Sequence, residues 1–217
     1  MSKVYIFSGL GVDRRVFDNI NFGNLDVKFI DWIDPLKNES LENYAERISK
    51  KINSENPILI GLSFGGMVAV EISKIIKTEK IILIASAKNK FELPKFNRIS
   101  GQLKLNKLIP KSVFKKQNFV NNWMFGIETD VEKQLLKDIL KDTDPNFFSW
   151  AINEIVNWKN ESSPENVIHI HGSKDRIIPF KNVKADFVIE DGGHFMTVNK
   201  AVEIEKIIKS VIKKTAL

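Results

Sequence analysis

Short apolar runs, most of them followed by a stretch of helical spacing, recur along this chain and constrain its fold more than any other feature. The runs are Val4–Phe7, Val27–Asp31, Ile58–Leu62, Ile81–Ala85, Val167–His171 and Phe187–Glu190, and each reads as a β-strand. Leu41–Ile52 carries apolar residues at Leu41, Tyr44, Ala45, Ile48 and Ile52, which is helical spacing, with Ser40 as N-cap. Phe64–Ile76 and Ala201–Ile212 also read as helices. Strands that alternate with helices imply a mostly parallel sheet of six strands with helices on both faces.

The alternation breaks between about Ala87 and Pro164. That stretch has a helical pattern, is rich in Phe and Trp, and returns at both ends to the same strand–helix series. It reads as an insertion over one edge of the sheet rather than a second domain. The expected division is a core of residues 1–87 and 164–217 with a helical lid of 88–163. A length of 217 residues with 43% hydrophobic content suits one domain with a substantial core. The chain has no cysteine, which excludes disulfides, thiolate catalysis and cysteine-ligated metals and fits a reducing compartment. No signal peptide is apparent and no apolar run is long enough to span a bilayer, so a cytoplasmic protein without a membrane span is expected.

The formal charge of +6 is unevenly spread. Residues 88–118 hold nine basic side chains (Lys88, Lys90, Lys95, Arg98, Lys104, Lys107, Lys111, Lys115 and Lys116) against the single acid Glu92. Such clustering attracts an anionic partner or forms a solvated face. No nucleic-acid-binding module accompanies it, so no nucleic acid is expected as a partner.

The residues that carry chemistry begin at Gly61-Leu62-Ser63-Phe64-Gly65-Gly66, directly after the strand Ile58–Ile60 and at the opening of a helix. This is the pattern of a nucleophile elbow. The turn is so tight that side chains at 61 and 65 would collide with neighbouring backbone, and strain at the serine lifts its hydroxyl clear of the sheet. A phosphate-binding loop is disfavoured because no Gly-Lys-Ser/Thr follows. His194, in Asp191-Gly192-Gly193-His194, lies after the last strand and before the last helix, where sites in open parallel sheets assemble. It is the candidate general base. His169 alternates along a strand and reads as buried or paired, and His171 as a residue that shapes the following loop.

Asp175, four residues past a strand end, is the candidate acid that orients the imidazole. Asp191 is the competitor, but it would have to fold back to reach Nδ1 of His194. An oxyanion hole needs two backbone donors. The N–H of Phe64 is one, and the Ser8-Gly9-Leu10-Gly11 loop after the first strand offers the other at Leu10.

The elbow, the loop His171-Gly172-Ser173-Lys174-Asp175 with Ile178-Pro179, and Gly192-Gly193-His194 together resemble the α/β-hydrolase superfamily, in its chain order of Ser, acid and His. The opening through Val16-Phe17 resembles the His-Gly-x-Gly … Val-Trp opening of small carboxylesterases such as the pimeloyl-carrier-protein methyl ester esterases. Ser8 stands where those proteins have histidine, and Trp32-Ile33-Asp34-Pro35 replaces a common Pro-Gly-x-Gly-x-Ser turn. The resemblance implies a minimal α/β-hydrolase fold and cleavage of a carboxylic ester or thioester through an acyl-enzyme on Ser63. That chemistry needs no metal or organic cofactor. The lid would supply an acyl pocket, with Phe119, Trp123, Phe125, Phe147, Phe148, Trp150 and Trp158 as candidates, most of them more naturally helix-packing residues. The basic segment suggests an acidic acyl carrier as partner. The alternatives are a hydrolase or lyase of carbon–carbon bonds using the same triad, and a non-catalytic binding protein on the same scaffold.

Overall fold

The computed structural model describes residues 3–94 and 119–213. Its sheet has six strands: β1 (Val4–Phe7), β2 (Val27–Phe29), β3 (Ile58–Leu62), β4 (Lys80–Ile84), β5 (Val167–Gly172) and β6 (Phe187–Ile189). They lie in the order β2-β1-β3-β4-β5-β6, and every pairing is parallel. The strand ends differ by a residue or two from those read in the sequence. The largest change is at β2, where Ile30 and Asp31 fall outside the strand, although Ile30 N–H still donates to the Ile6 carbonyl at 2.9 Å.

Alternation along the strands sends side chains to two apolar layers. Val4, Ile6, Ile58, Ile60, Ile82 and Ile84 point into one, where helix α7 (Ala201–Lys213) adds Ile204 and Ile208. Tyr5, Phe7, Leu59, Ile81 and Leu83 point into the other. There they meet α1 (Leu41–Ser49) and α2 (Phe64–Ser73). Burying one such side chain completely stabilises the fold by about 1.5–3 kcal/mol, so these two layers hold the sheet together.

The N-terminus of α1 is capped as expected: Ser40 Oγ accepts the Asn43 N–H at 3.3 Å. The helix stops at Ser49 rather than Ile52 because the chain tightens into i→i+3 bonds, with Lys51 N–H on Ile48 O at 3.0 Å and Ile52 N–H on Ser49 O at 2.9 Å. In α2 every residue from Phe64 to Ile72 is buried, so this helix packs on all sides and forms the centre of the molecule.

Between β4 and β5, which pair directly, lie α3 (Phe119–Phe125), α4 (Asp130–Asp142) and α5 (Pro145–Val156). Two of them are knitted into the core. Leu136, Ile139 and Leu140 of α4 belong to the first apolar layer, and Phe147 and Ala151 of α5 belong to the second. Most of the basic segment, from Lys95 through Lys116, lies outside the described residues. A short helix α6 (Met196–Asn199) precedes α7. No helix among the described residues is long and apolar enough to cross a membrane.

The approach of α2 to β1 leaves no room at Gly65. A Cβ there would stand 2.3 Å from Ser8 O and 2.5 Å from Phe7 O, both backbone atoms. Gly65→Ala is therefore expected to destabilise the protein by at least about 3 kcal/mol or to prevent folding. Urea denaturation checks this, with Ala69→Gly in the same helix as a comparison.

Candidate active site

Ser63 sits between β3 and α2 with φ 51° and ψ −120°, a conformation that costs a non-glycine residue about 1–3 kcal/mol. Its backbone is held from both sides. The Ser63 N–H donates to Ile84 O at 2.9 Å, and its carbonyl accepts the Gly66 N–H at 2.9 Å. The same carbonyl accepts Ser86 Oγ–H at 2.6 Å. Gly61 makes the turn possible by close approach, since a Cβ on it would lie 2.4 Å from Gly66 Cα. With the chain fixed in this way, the Ser63 side chain stands partly exposed at the carboxyl edge of the sheet.

His194 reaches that hydroxyl from the loop after β6, its Nε2 2.9 Å from Ser63 Oγ. The loop comes close because the Gly192 carbonyl abuts Gly172, where an added Cβ would lie 2.2 Å from the Gly192 oxygen. The other ring nitrogen, Nδ1, lies 2.8 Å from Asp175 Oδ2. Carboxylate oxygens accept, so Nδ1 carries the proton. The hydroxyl of Ser63 then donates to the bare Nε2. Asp175 is buried, and its second oxygen accepts the N–H groups of Ile177 at 2.8 Å and Ile178 at 2.9 Å. Burial by itself raises this carboxyl, but the hydrogen bonds from His194 and the Ile178 N–H outweigh it and hold Asp175 below the ordinary carboxylate range. The structure thus brings together the three side chains singled out from the sequence. Asp191, the competing acid, is exposed and pairs with Lys174 at 2.7 Å.

The loop carrying Leu10 runs beside the serine, for a Cβ on Gly9 would lie 3.4 Å from Ser63 Cβ. Gly11 takes φ 69°, a left-handed conformation that turns the chain there. Neither the Leu10 N–H nor the Phe64 N–H donates to a protein acceptor among the described residues. Among the described residues, then, no protein group competes with a ligand oxygen for either.

The expected lid aromatics divide between two tasks. Phe147 and Trp150 join Trp32, Tyr44 and Phe64 in a ring cluster, with Trp32 stacked on Phe147 at 5.5 Å. Trp158 is buried and donates to Glu71 Oε1 at 2.7 Å. All three pack in this way, and Phe147 also forms a wall of the cavity beside Gly11. Phe125 instead sets its ring edge-to-face against His194 at 5.9 Å, and its carbonyl accepts the Phe195 N–H at 2.9 Å. Phe148 comes against Gly11, while Trp123 is half-exposed with Arg176 over its ring at 4.6 Å. The side chain of Phe119 lies outside the described residues. A cavity of about 230 Å³ shares Gly11 and Val12 with the Leu10 loop, with Trp32, Ile139 and Phe147 as apolar walls and Asp13, Asp34, Asp142 and Asp144 around it. Among the described residues no cluster of side chains could hold a metal ion.

The sequence reading missed Ser86. It follows β4 without any motif around it, and only the geometry shows its hydroxyl on the Ser63 carbonyl. His171, read as shaping the following loop, does so from within β5: it is fully buried and its Nε2 lies 2.8 Å from Ile178 O of that loop.

A parallel sheet in this order, a serine at the strained β3–α2 turn and a histidine after the last strand define the α/β-hydrolase fold. Solved structures agree on that fold over almost the whole chain. An esterase from Thermogutta terrifontis matches with a TM-score of 0.69 at 15% identity, over 99% of this chain and 90% of that one. MenH from S. aureus matches with a TM-score of 0.75 at 19% identity, over 100% and 95% of the two chains. A bromoperoxidase from Bacillus anthracis matches with a TM-score of 0.67 at 14% identity, over 98% and 92%. No protein-family model and no curated protein sequence matches the chain.

Two expectations follow. Ser86→Ala removes a hydrogen bond to a buried carbonyl that keeps two other donors, and should cost about 1 kcal/mol in urea denaturation. The second concerns the buried imidazoles, which titrate near pH 6.5 when unfolded. Burial foremost holds both neutral to lower pH in the fold, His169 down to about 3. As pH falls the unfolded chain binds protons first, so stability is lost below about pH 6.5, by at most about 1.4 kcal/mol per pH unit for each ring. Burial raises Glu92 and Glu154, which oppose this trend nearer their own range. Urea midpoints should therefore drop as pH falls from about 7 to about 5.5, across the imidazole range, and a flat profile would mean that the rings bind protons in the fold as readily as in the unfolded chain.

Proposed function

We propose that this chain is a serine hydrolase that cleaves a carboxylic ester or thioester through an acyl-enzyme on Ser63. The single observation that carries the reading is the relay of two short contacts. His194 Nε2 is 2.9 Å from Ser63 Oγ while its Nδ1 is 2.8 Å from buried Asp175. In the first step Ser63 Oγ attacks the acyl carbon and its proton passes to His194 Nε2. The imidazolium so formed is stabilised by Asp175, which stays ionised. The N–H groups of Phe64 and Leu10 receive the oxyanion, and each such donor is worth about 3 kcal/mol in the transition state. The alkoxide or thiolate leaves with the proton from His194. Water, activated by the same ring, then releases the acid.

Esterases among the structural neighbours support the choice of bond. The helices of residues 88–163 would act as the lid and the cavity beside Gly11 would take one arm of the substrate. Of the carboxylates around that cavity, Asp13 and Asp142 are both paired with Arg15 and Asp144 caps the N-terminus of α5, so its walls offer no large excess of unpaired negative charge. An acidic acyl carrier as partner rests on the charge of residues 88–118 alone. Of those nine basic residues, Lys88 faces Asp186 at 3.8 Å and Lys90 pairs with Glu161, and the other seven lie outside the described residues.

A panel of short p-nitrophenyl esters and acyl thioesters tests the reaction. Turnover is expected for the native protein, a loss of about 10⁶-fold in kcat for Ser63→Ala, and a loss of about 10⁴-fold for Asp175→Asn, which imposes the wrong tautomer on His194. Absence of turnover on the whole panel would point to carbon–carbon chemistry or to binding without catalysis. For a carrier-bound substrate, kcat/KM should fall as ionic strength rises.

A further inference from the structure

Behind the proposed acid lie the two other histidines of the chain, which the proposed reaction does not use. His169 and His171 are both fully buried on β5. His171 Nδ1 lies 3.1 Å from His169 Nε2, with the rings perpendicular, and His171 Nε2 lies 2.8 Å from Ile178 O. The same Nε2 is 3.6 Å from Asp175 Oδ2.

The proton positions follow from what each partner can do. A carbonyl only accepts, so His171 Nε2 carries a hydrogen. A neutral His171 then presents a lone pair at Nδ1, and the 3.1 Å contact requires the hydrogen to sit on His169 Nε2. His169 Nδ1 is left as a bare nitrogen that makes no hydrogen bond among the described residues, and the Ser86 backbone beside this ring is a further polar neighbour, one that favours a proton on it. A second proton on His171 would have to occupy Nδ1, against the N–H of His169. The charged and titratable groups around the pair are Asp175, His194, Lys88 and Asp186, the last accepting the His169 backbone N–H at 2.8 Å.

From this geometry we infer that His171 is a positioning residue for Asp175, with His169 fixing its tautomer. Ile178 is held at both ends: its N–H donates to Asp175 Oδ1 at 2.9 Å and its carbonyl accepts from His171. His171 therefore pins the turn of residues 175–178 that aims the carboxylate. Because the ring is neutral, Asp175 Oδ2 is left to His194, its 2.8 Å partner. A charged His171 would compete for that oxygen. The inference rests on the proposed roles of Ser63, Asp175 and His194 and adds a residue that acts through the acid.

The test compares His171→Gln, whose amide nitrogen can replace the Nε2–H donor, with His171→Phe, which cannot donate. Both leave His169 without its acceptor, so their difference isolates the bond to Ile178. On the best ester of the panel, His171→Phe is expected to lose about 10²-fold in kcat with KM nearly unchanged, the scale of a small misplacement of a catalytic group. His171→Gln should recover most of that loss. Equal losses in the two variants, or none in His171→Phe, would overturn the inference.

Ring ¹⁵N shifts of the unaltered protein give an answer even where a variant does not fold. They should show a proton on His171 Nε2 and none on Nδ1 throughout the neutral range. A charged His171, or a proton on His169 Nδ1, would also overturn it. Should no ester be turned over, the proposed reaction fails, while the nitrogen shifts still judge the arrangement of the pair.

Discussion

The joint between β3 and α2 is the constraint on which the rest depends. A strand and a helix meet there at a distance that admits no side chain at Gly61 or Gly65, and the chain between them has one conformation available. Ser63 is strained by that joint and held by it, through Ile84, Gly66 and Ser86. The strain of about 1–3 kcal/mol is small beside the burial of α2, which is enclosed from Phe64 to Ile72. A helix packed on all sides cannot relax to relieve a single residue, so the hydroxyl remains where the neighbouring loops can find it.

Those loops bring charge under control. Asp175 is buried, and burial alone would favour its neutral form. Backbone N–H groups and His194 outweigh that tendency. Burial disfavours charge on the two imidazoles behind it, which leaves His194 as its close imidazole partner. On the proposed reading, this separation between one histidine beside the serine and two deeper in the interior would give the relay of proton transfers its direction. The ring of Phe125 closes the outer side of His194, tying the helices between β4 and β5 to the same centre.

Much of this was legible in the sequence because it is set by local rules. The apolar runs gave the strands, glycines flanking Ser63 gave the turn, and the order Ser63, Asp175, His194 gave the convergence at one edge of a parallel sheet. The misses have physical causes. Helix ends at Ser49 and Ser73 were overrun because i→i+3 bonds continue the apolar spacing for a few residues beyond the helix. Ser86 carried no pattern, since its role depends on the packing of β4 against the elbow. By contrast, His169 reads as buried or paired and His171 as shaping the following loop, and the structure agrees on both. Their mutual contact follows from alternation on β5, but the partner at Ile178 depends on how the next turn folds back. Trp150 and Trp158 share the aromatic composition of pocket candidates but pack in the interior, whereas Phe147 both packs and walls the cavity beside Gly11.

The most direct measurement is mass spectrometry of the native protein after reaction with a fluorophosphonate, which modifies only a serine made nucleophilic by its neighbours. The expected result is one adduct, located at Ser63, that is lost when His194 is replaced by alanine or when the protein is unfolded in urea. An unmodified Ser63 in folded protein, or an adduct on another residue, would contradict the convergence of these three side chains as a working nucleophile.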